Sequence, residues 1–345
     1  LALKTATELD IEIGVFNSPG WSQSGGPWVK AENSMRYLAS SETYVEGPMT
    51  FSKKLEQPYD LFEDVEVIAF PMPKNYKSKL DSRKITTRSN QEVQNLNLLF
   101  DGKKDKAVYF SSSKDFILDV NYEEQYTARS ISLDYPKSPI YAKVQLQFKG
   151  ENGAYKTHHE FEMDRSRFAL DVGFNVQAPL QISFAPIKSK NFRLKFTFLK
   201  HKDWPSPGIN KNPGLTEITI SSQPLLGNYA EKSLAKMHPT PLPKFDDYNW
   251  DDQVEPDELS MIVSPKEVIN LSDKLEADGT LNWEVPPGKW IILRTGMTPT
   301  GIKNGPASPE ATGYEVDKMS KAHVEQHFYG HIGEILKRIP EEDRK

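Results

Sequence analysis

The stretch that decides the fold runs from Ile11 to Trp28 and reads IEIGVFNSPGWSQSGGPW. Its first six residues are rich in β-branched side chains, which predicts a short buried strand. Residues 17–28 are dense in Gly, Pro, Ser and Trp, which predicts a loop. Residues 1–9 and 30–40 have helical composition. Helix, strand, loop and helix in this order predict part of an α/β unit, in which sites form in the loop after a strand.

The loop of residues 17–28 carries side chains that suit a sugar. The rings of Trp21 and Trp28 can stack on the apolar faces of sugar rings. Asn17 and Ser22 can hydrogen-bond to sugar hydroxyl groups. The glycines between them allow close approach of the backbone. The alternative is a tight loop that packs against itself with a Trp as its plug.

The other end of the chain shows a similar pattern. Residues 312–318 predict a short strand, and Ser320 is the predicted N-cap of a helix that Pro340 ends. The apolar residues of this helix share one face, which predicts an amphipathic helix: Val324, Phe328, Ile332, Ile335, Leu336 and Ile339.

Glu315 and Asp317 lie two residues apart in the predicted strand, so their side chains point to the same side. Two carboxylates on one side can bind a metal, hold a hydroxyl group or perform acid–base work. A spacing of about 6–7 Å between their Cα atoms does not by itself assign a glycosidase pair. The alternative is a buried salt bridge with Lys318 that stabilises the packing.

Residues 46–305 are almost entirely β in pattern. Val144, Leu146 and Phe148 alternate with glutamines, and turn signals such as Asp278-Gly279 and Pro286-Pro287-Gly288 separate the runs. Short strands at this spacing indicate a β-sandwich. The predicted strands include Val65–Phe70, Phe116–Val120, Ala128–Tyr135, Tyr141–Phe148, His158–Met163, Leu180–Ala185, Asn191–Phe198, Leu215–Ser221 and Trp290–Thr295.

Three zones follow, and together they predict a mixed fold that is mostly β by residue count. Residues 1–45 and 306–345 are α/β segments. Residues 46–305 are an inserted β region, with a core sandwich near 90–222 and a smaller β unit near 260–297. The two ends total roughly 85 residues, whereas a complete (β/α)₈ barrel needs ~250. If the ends belong to a barrel, most of it lies outside this sequence. The opening Leu1, in place of Met, is likewise interpreted as a cut inside a larger protein.

Composition excludes several classes of function. The net charge of −5 over 345 residues argues against nucleic acid or an anionic membrane as partner. The absence of Cys excludes disulfides, thiol catalysis and iron–sulfur clusters. No apolar run reaches the ~18 residues that a membrane span needs.

Two further patterns have ordinary explanations. His323, His327 and His331 recur every four residues, but zinc needs a precise ligand set, so we interpret them as structural or surface side chains. Asp101 to Asp105 could form a calcium loop, although a hairpin turn is favoured.

The strings Asn17–Trp28 and Gly313–Lys318 (GYEVDK) resemble glycoside hydrolase family 106, the α-L-rhamnosidases of bacterial pectin breakdown. Residues 283–294 (WEVPPGKWIILR) and 304–307 (NGPA) resemble the same family, so the matches bracket nearly the whole chain. Residues 90–222 resemble a galactose-binding-like (discoidin-type) sandwich.

The family resemblance implies a (β/α)₈ catalytic barrel interrupted by an inserted β-sandwich. It also implies an inverting, calcium-associated hydrolase, periplasmic or secreted, that removes terminal α-L-rhamnose from pectin-type polysaccharide such as rhamnogalacturonan. In that family the acid and base glutamates lie on later barrel strands, and this sequence carries no match to their motifs. The catalytic pair is therefore expected beyond Lys345, and the fragment alone is expected to lack it.

The residues that carry over from the resemblance belong to the sugar pocket: Asn17, Trp21, Ser22, Trp28, Glu315, Asp317 and Lys318. The expected partner is an oligosaccharide or polysaccharide. The competing interpretation is a non-catalytic carbohydrate-binding protein in which the sandwich acts as a lectin.

Overall fold

The computed structural model describes residues 2–16, 23–74, 76, 84–166, 173, 175, 177–199, 212–233, 235–236 and 253–344. The chain divides into two compact units. The first, here called the terminal unit, consists of Leu1–Met72 and Ser264–Lys345. The second, here called the central unit, is Pro73–Val263.

Strands dominate the described residues, as predicted. They are β1 (Gly25–Gly26), β2 (Arg36–Lys54), β3 (Glu63–Pro71), β4 (Ile85–Ser89), β5 (Val108–Tyr109), β6 (Phe116–Asp134), β7 (Ile140–Lys149), β8 (Tyr155–Arg165), β9 (Leu180–Phe198), β10 (Gly214–Leu215), β11 (Glu217–Ser221), β12 (Ile269–Asn270), β13 (Thr280–Pro299) and β14 (Tyr314–Glu315).

The helices are short. The α-helices are α1 (Ala2–Glu8), α2 (Tyr229–Lys232), α3 (Lys321–Phe328) and α4 (Glu334–Leu336), and a π-helical segment, Tyr329–Gly333, joins α3 to α4. The 3₁₀ segments are Ala31–Asn33, Leu96–Phe100, Leu259–Met261, Pro265–Glu267, Ser272–Lys274, Pro309–Ala311 and Glu341–Asp343.

The central unit is built on an antiparallel sheet of order β11-β6-β9-β7-β8, with β4 also paired to β6. The predicted alternation is confirmed, because Val144 and Leu146 are fully buried while Gln145 and Gln147, which follow them, are partly exposed. The predicted strands at 116–120 and 128–135 are parts of the single strand β6, which changes register after Asn121. Such irregularities let one long strand bend around a core. That this unit is a galactose-binding-like sandwich stays a prediction.

A buried arginine supports the central unit. Arg129, on β6, is almost fully buried and makes two 2.6 Å hydrogen bonds, from Nε and Nη2, to the two carboxylate oxygens of Asp257. Its Nη1 also donates to the carbonyl of Ser222 at 3.0 Å. These bonds hold the pKa of Asp257 below its ordinary range.

The terminal unit contains a four-stranded antiparallel sheet of order β12-β3-β13-β2. β13 pairs with β2 along its whole length, from Thr280 opposite Lys54 to Pro299 opposite Arg36. The predicted turn at Pro286–Gly288 is instead an irregularity inside β13, where the register shifts between Val285 and Gly288. The sheet covers a core that includes Trp283.

The predicted helix at 30–40 is wrong. One 3₁₀ turn, Ala31–Asn33, is followed by β2 from Arg36 onward. The residues of 36–40 pair with residues 295–299 of β13. Long-range pairing therefore outweighs a local helical preference that is weak for any single residue.

The predicted buried strand at 11–16 is also wrong for the described structure. This segment pairs with no strand among the described residues, and Ile11, Ile13, Val15 and Phe16 are exposed. A strand needs a partner for its backbone groups, and none of the described strands lies beside it.

The C-terminal helix begins as predicted, because the Ser320 side chain accepts a hydrogen bond from the backbone N–H of His323. The expected apolar face is not the buried one. Val324, Phe328 and Leu336 are exposed, whereas His327 is buried. The reason is a specific partner for the His327 ring, described below.

The two units group the chain differently from the three predicted zones. The smaller β unit near 260–297 belongs mainly to the terminal unit, and residue 45 lies inside β2. The assignment of residues 1–45 and 306–345 to a barrel stays a prediction.

Candidate functional site

A short antiparallel pairing brings the two predicted site segments together. Gly25 and Gly26 of β1 lie opposite Glu315 and Tyr314 of β14. The backbones approach so closely that a Cβ on Gly313 would lie 1.9 Å from the carbonyl oxygen of Gly26. Only glycine fits there, since a real Cβ needs more than 3 Å. The end of the 17–28 loop and the Glu315–Lys318 turn are therefore neighbours.

Trp28 is held by histidines of the C-terminal helix. Its indole Nε1 donates to Nδ1 of His327 at 2.9 Å, and its ring stacks on that of His331 with centroids 5.2 Å apart. Because an indole nitrogen can only donate, Nδ1 of His327 is the acceptor. Nε2 then carries the hydrogen and donates to the carbonyl of Gln23 at 3.0 Å. Gly330 makes room, because a Cβ there would lie 2.6 Å from the indole.

These contacts resemble the self-packed alternative for this loop. The half-buried Trp28 has one ring face against a histidine and its N–H fully used. His327 and His331, which the sequence analysis interpreted as structural or surface side chains, supply these contacts to Trp28.

Glu315 and Lys318 form an ion pair on the surface of the turn. Lys318 Nζ donates to Glu315 Oε1. The side chains are 25% and 47% exposed, respectively, so both keep polar atoms in contact with solvent. The salt bridge that the sequence suggested therefore exists, but it is not buried. A half-buried acceptor beside an exposed donor is an arrangement that can bind vicinal hydroxyl groups.

Asp317, in the same turn, is buried, because its side chain is only 8% exposed. Oδ1 accepts a 3.0 Å hydrogen bond from the backbone N–H of Met319. Oδ2 lies 3.7 Å from Nη2 of Arg36 and 3.7 Å from Nδ1 of His323. Glu315 and Asp317, expected on one side of a strand, thus have entirely different partners.

Arg36 connects this turn with the four-stranded sheet. Its Nη1 forms an ion pair with the exposed Glu63 at the start of β3. Its buried Nε has no hydrogen-bond partner among the described residues, and the same is true of the buried Nδ1 of His323. Sequence reasoning missed Arg36, because no local motif links β2 to a turn near residue 317, and it interpreted His323 as a structural or surface side chain.

Three of the predicted site residues, Asn17, Trp21 and Ser22, lie outside the described residues. In the described part of the chain, no group of three or more histidine or carboxylate side chains is arranged to hold a metal ion. That the full-length protein uses calcium stays a prediction. The Asp101 turn has its own partners, since Asp101 Oδ1 accepts from the N–H of Lys103 at 2.8 Å.

A family model and a solved structure point to the same family. The family model described as alpha-L-rhamnosidase, glycoside hydrolase family 106, matches residues 1–345. The chain is similar to the solved structure of a rhamnosidase from Novosphingobium sp. PP1Y, with 25% identity and a TM-score of 0.67. The match covers 96% of this chain and 30% of that one.

A Formosa agariphila protein that bears the provisional name of a beta-glucuronidase is 31% identical over 189 residues, which cover 45% of this chain and 16% of that protein. The chain thus spans less than a third of the length of either relative. Among the described residues, no helix is long and apolar enough to cross a membrane. The resemblance carried by the Asn17–Trp28 and Gly313–Lys318 strings is confirmed over the whole chain, which belongs to the alpha-L-rhamnosidase family, glycoside hydrolase family 106.

Proposed function

We propose that this chain is part of an inverting hydrolase that removes terminal α-L-rhamnose from pectin-type polysaccharide such as rhamnogalacturonan. The 17–28 loop and the Glu315–Lys318 turn line its rhamnose pocket. The observation that carries the proposal is the pairing of β1 with β14, which joins the two segments within a chain of this family.

The residues of this chain bind and orient the sugar. Glu315 and Lys318 offer an acceptor and a donor to ring hydroxyls from the exposed face of the turn. The catalytic acid and base lie on later strands of a (β/α)₈ barrel, so this part supplies the pocket wall and not the proton transfers. Inversion requires those two carboxyl groups to be ~6.5–9.5 Å apart, leaving room for a water molecule.

Exposed apolar residues of the terminal unit support the proposal that this chain is part of a larger barrel. Ile11, Ile13, Val15 and Phe16 form one exposed apolar run, and Val324 and Phe328 expose the apolar side of α3. Apolar surface of this kind is commonly covered by further polypeptide. In the longer protein, additional barrel strands and helices cover both surfaces.

The decisive experiment measures hydrolysis of an aryl α-L-rhamnoside by the full-length protein. We expect the double variant Glu315→Gln/Lys318→Met, and separately Trp21→Ala, to lower kcat/KM by about tenfold or more, the order expected for losing charged hydrogen bonds or a stacking ring. Glu334→Gln/Lys337→Met is the matched control, since it removes an exposed ion pair of the same spacing on the C-terminal helix. Wild-type kinetics in both test variants would refute the pocket assignment.

Two other substrates and roles are separated by the same assay. Because one relative bears a beta-glucuronidase name, an aryl β-D-glucuronide is the comparison substrate. A preference for it would refute the assignment of rhamnose as the sugar that is removed. A full-length protein that binds pectin fragments but cleaves neither glycoside would favour the non-catalytic carbohydrate-binding alternative. A periplasmic or secreted location is part of the proposal, and cell fractionation tests it.

A further inference from the structure

We propose that Arg36 and the buried Asp317 form a support that positions the solvent-accessible Glu315–Lys318 pair for the sugar, and that Asp317 does not itself contact the substrate. The inference rests on the proposed function, because it assigns roles within that pocket. It separates the residues that bind the sugar, Glu315 and Lys318, from the residue that positions them, Asp317, which the sequence analysis had grouped together.

Burial distinguishes Asp317 from its neighbours. With 8% of its side chain exposed, Asp317 offers a sugar very little surface, whereas Lys318 has almost half of its side chain in solvent. Its contacts are instead to the turn. Oδ1 accepts from the N–H of Met319 at 3.0 Å, and its carbonyl accepts from the N–H of Ser320 at 3.3 Å. These two bonds close the turn that carries Lys318.

The backbone around Arg36 is fastened to the same turn. The N–H of Met35 donates to the carbonyl of Glu315 at 2.8 Å, and the N–H of Asp317 donates to the carbonyl of Asn33 at 3.0 Å. Arg36, the first residue of β2, therefore meets Asp317 in a fixed register. Its guanidinium lies between two carboxylates, the exposed Glu63 and the buried Asp317.

Charge is what Arg36 contributes. A buried carboxylate is costly unless a positive charge lies near it. The 3.7 Å separation between Arg36 Nη2 and Asp317 Oδ2 is beyond a good hydrogen bond but within the ~4 Å range of an ion pair. His323, at 3.7 Å on the other side, approaches from α3. Removal of Arg36 would take away the charge that faces Asp317 and would weaken the hold on the turn, although its backbone hydrogen bonds remain.

The experiment compares steady-state kinetics of full-length variants on an aryl α-L-rhamnoside. Arg36→Met and Asp317→Asn each remove one half of the support with little change of volume. We expect each to raise KM by about tenfold, the scale on which displaced binding groups affect catalysis, and the double variant to be no worse than the more severe single one. Arg36→Lys keeps the charge and should restore most of the affinity. Arg88→Met, which changes an exposed arginine of the central unit, is the matched control and should keep the wild-type KM.

A background variant tests whether Asp317 acts through the pair. In Glu315→Gln/Lys318→Met, adding Asp317→Asn should leave KM unchanged, because the groups that it positions are gone. Multiplying effects in that background would mean direct contact with the sugar and would overturn the inference. A change in kcat alone that follows the folded fraction, measured by circular dichroism, would mean that Arg36 only stabilises the fold. That result would also overturn the inference.

Failure of the proposed function gives a different result. Wild-type kinetics in both Glu315→Gln/Lys318→Met and Trp21→Ala would refute the pocket assignment itself, whatever the effect of Arg36→Met. If Arg36→Met does not fold, the Asp317→Asn series with and without the pair, together with Arg36→Lys, still decides between positioning and contact.

Discussion

The indole N–H of Trp28 donates to Nδ1 of His327 at 2.9 Å and so ties the end of the N-terminal loop to the C-terminal helix. This bond explains why a histidine, and not the apolar stripe of the helix, is buried. It also fixes the neutral tautomer of His327, whose other nitrogen donates to the carbonyl of Gln23.

Loss of this bond should destabilise the terminal unit. Trp28→Phe keeps an aromatic ring but leaves Nδ1 of the buried His327 without a donor, and we expect a loss of about 1–3 kcal/mol. The midpoint of thermal or urea unfolding measures it. His331→Phe is the control, because it keeps the stack on Trp28 and removes a ring whose Nδ1 has no partner among the described residues. Equal destabilisation by the two changes would contradict the role of the hydrogen bond.

The close approach of β1 and the residues before β14 predicts an intolerant glycine. Gly313→Ala would put a Cβ 1.9 Å from the carbonyl oxygen of Gly26, so the strands must separate. We expect a stability loss of about 1–3 kcal/mol or more, together with a raised KM of the full-length enzyme. Gly305→Ala adds a Cβ that meets no atom within 4 Å and should behave as wild type. Similar melting curves for both variants would argue against the strand pairing.

The Arg129–Asp257 pair predicts how the central unit responds to acid. Arg129 holds the pKa of Asp257 below the ordinary value of 3.8. A lowered pKa stabilises the folded state above about pH 4, and this contribution is lost as pH falls through the folded value and the carboxyl group binds a proton. Arg129→Met should therefore lower the melting temperature at neutral pH, and its difference from wild type should shrink toward pH 3. A difference that stays constant from pH 6 to pH 3 would disprove this explanation.

The exposed run at 11–16 predicts a substitution whose effect depends on the rest of the polypeptide. Ile13 is 47% exposed. Ile13→Lys should leave the melting of the 345-residue chain unchanged, yet lower that of the full-length protein by about 2 kcal/mol or more, because a charge would replace a buried side chain in the barrel. Leu259→Lys, at a position of the central unit that is 80% exposed, is the control and should be silent in both. A silent Ile13→Lys in the full-length protein would refute the burial of this run in the longer protein.

Calcium dependence is the prediction that rests on the family resemblance alone. We expect a chelator to lower the activity of the full-length enzyme and added Ca²⁺ to restore it. Magnesium at the same concentration is the control, since it prefers a smaller, strictly octahedral site. Full activity in excess chelator would exclude a calcium requirement.

The strands of the central unit could be predicted because their evidence is local. Val144 and Leu146 alternate with glutamines, and that alternation alone identifies a strand with one buried face. β2 could not be predicted in the same way, because its first residues depend on a partner near residue 299. The site shows a similar division. The resemblance of Gly313–Lys318 to the family predicted that this turn belongs to the site. Arg36 could not be predicted, because it meets Asp317 only after both segments have paired.

The pairing of β2 with β13 also sets an order of events during synthesis. Arg36 pairs with Pro299, so the sheet of the terminal unit cannot close until Pro299 has been synthesised. The entire central unit, Pro73–Val263, leaves the ribosome in that interval. Its sheet, by contrast, is complete within its own sequence. The central unit is therefore able to fold first, as domains do during translation, while β2 remains an unpaired strand that is open to aggregation until β13 arrives.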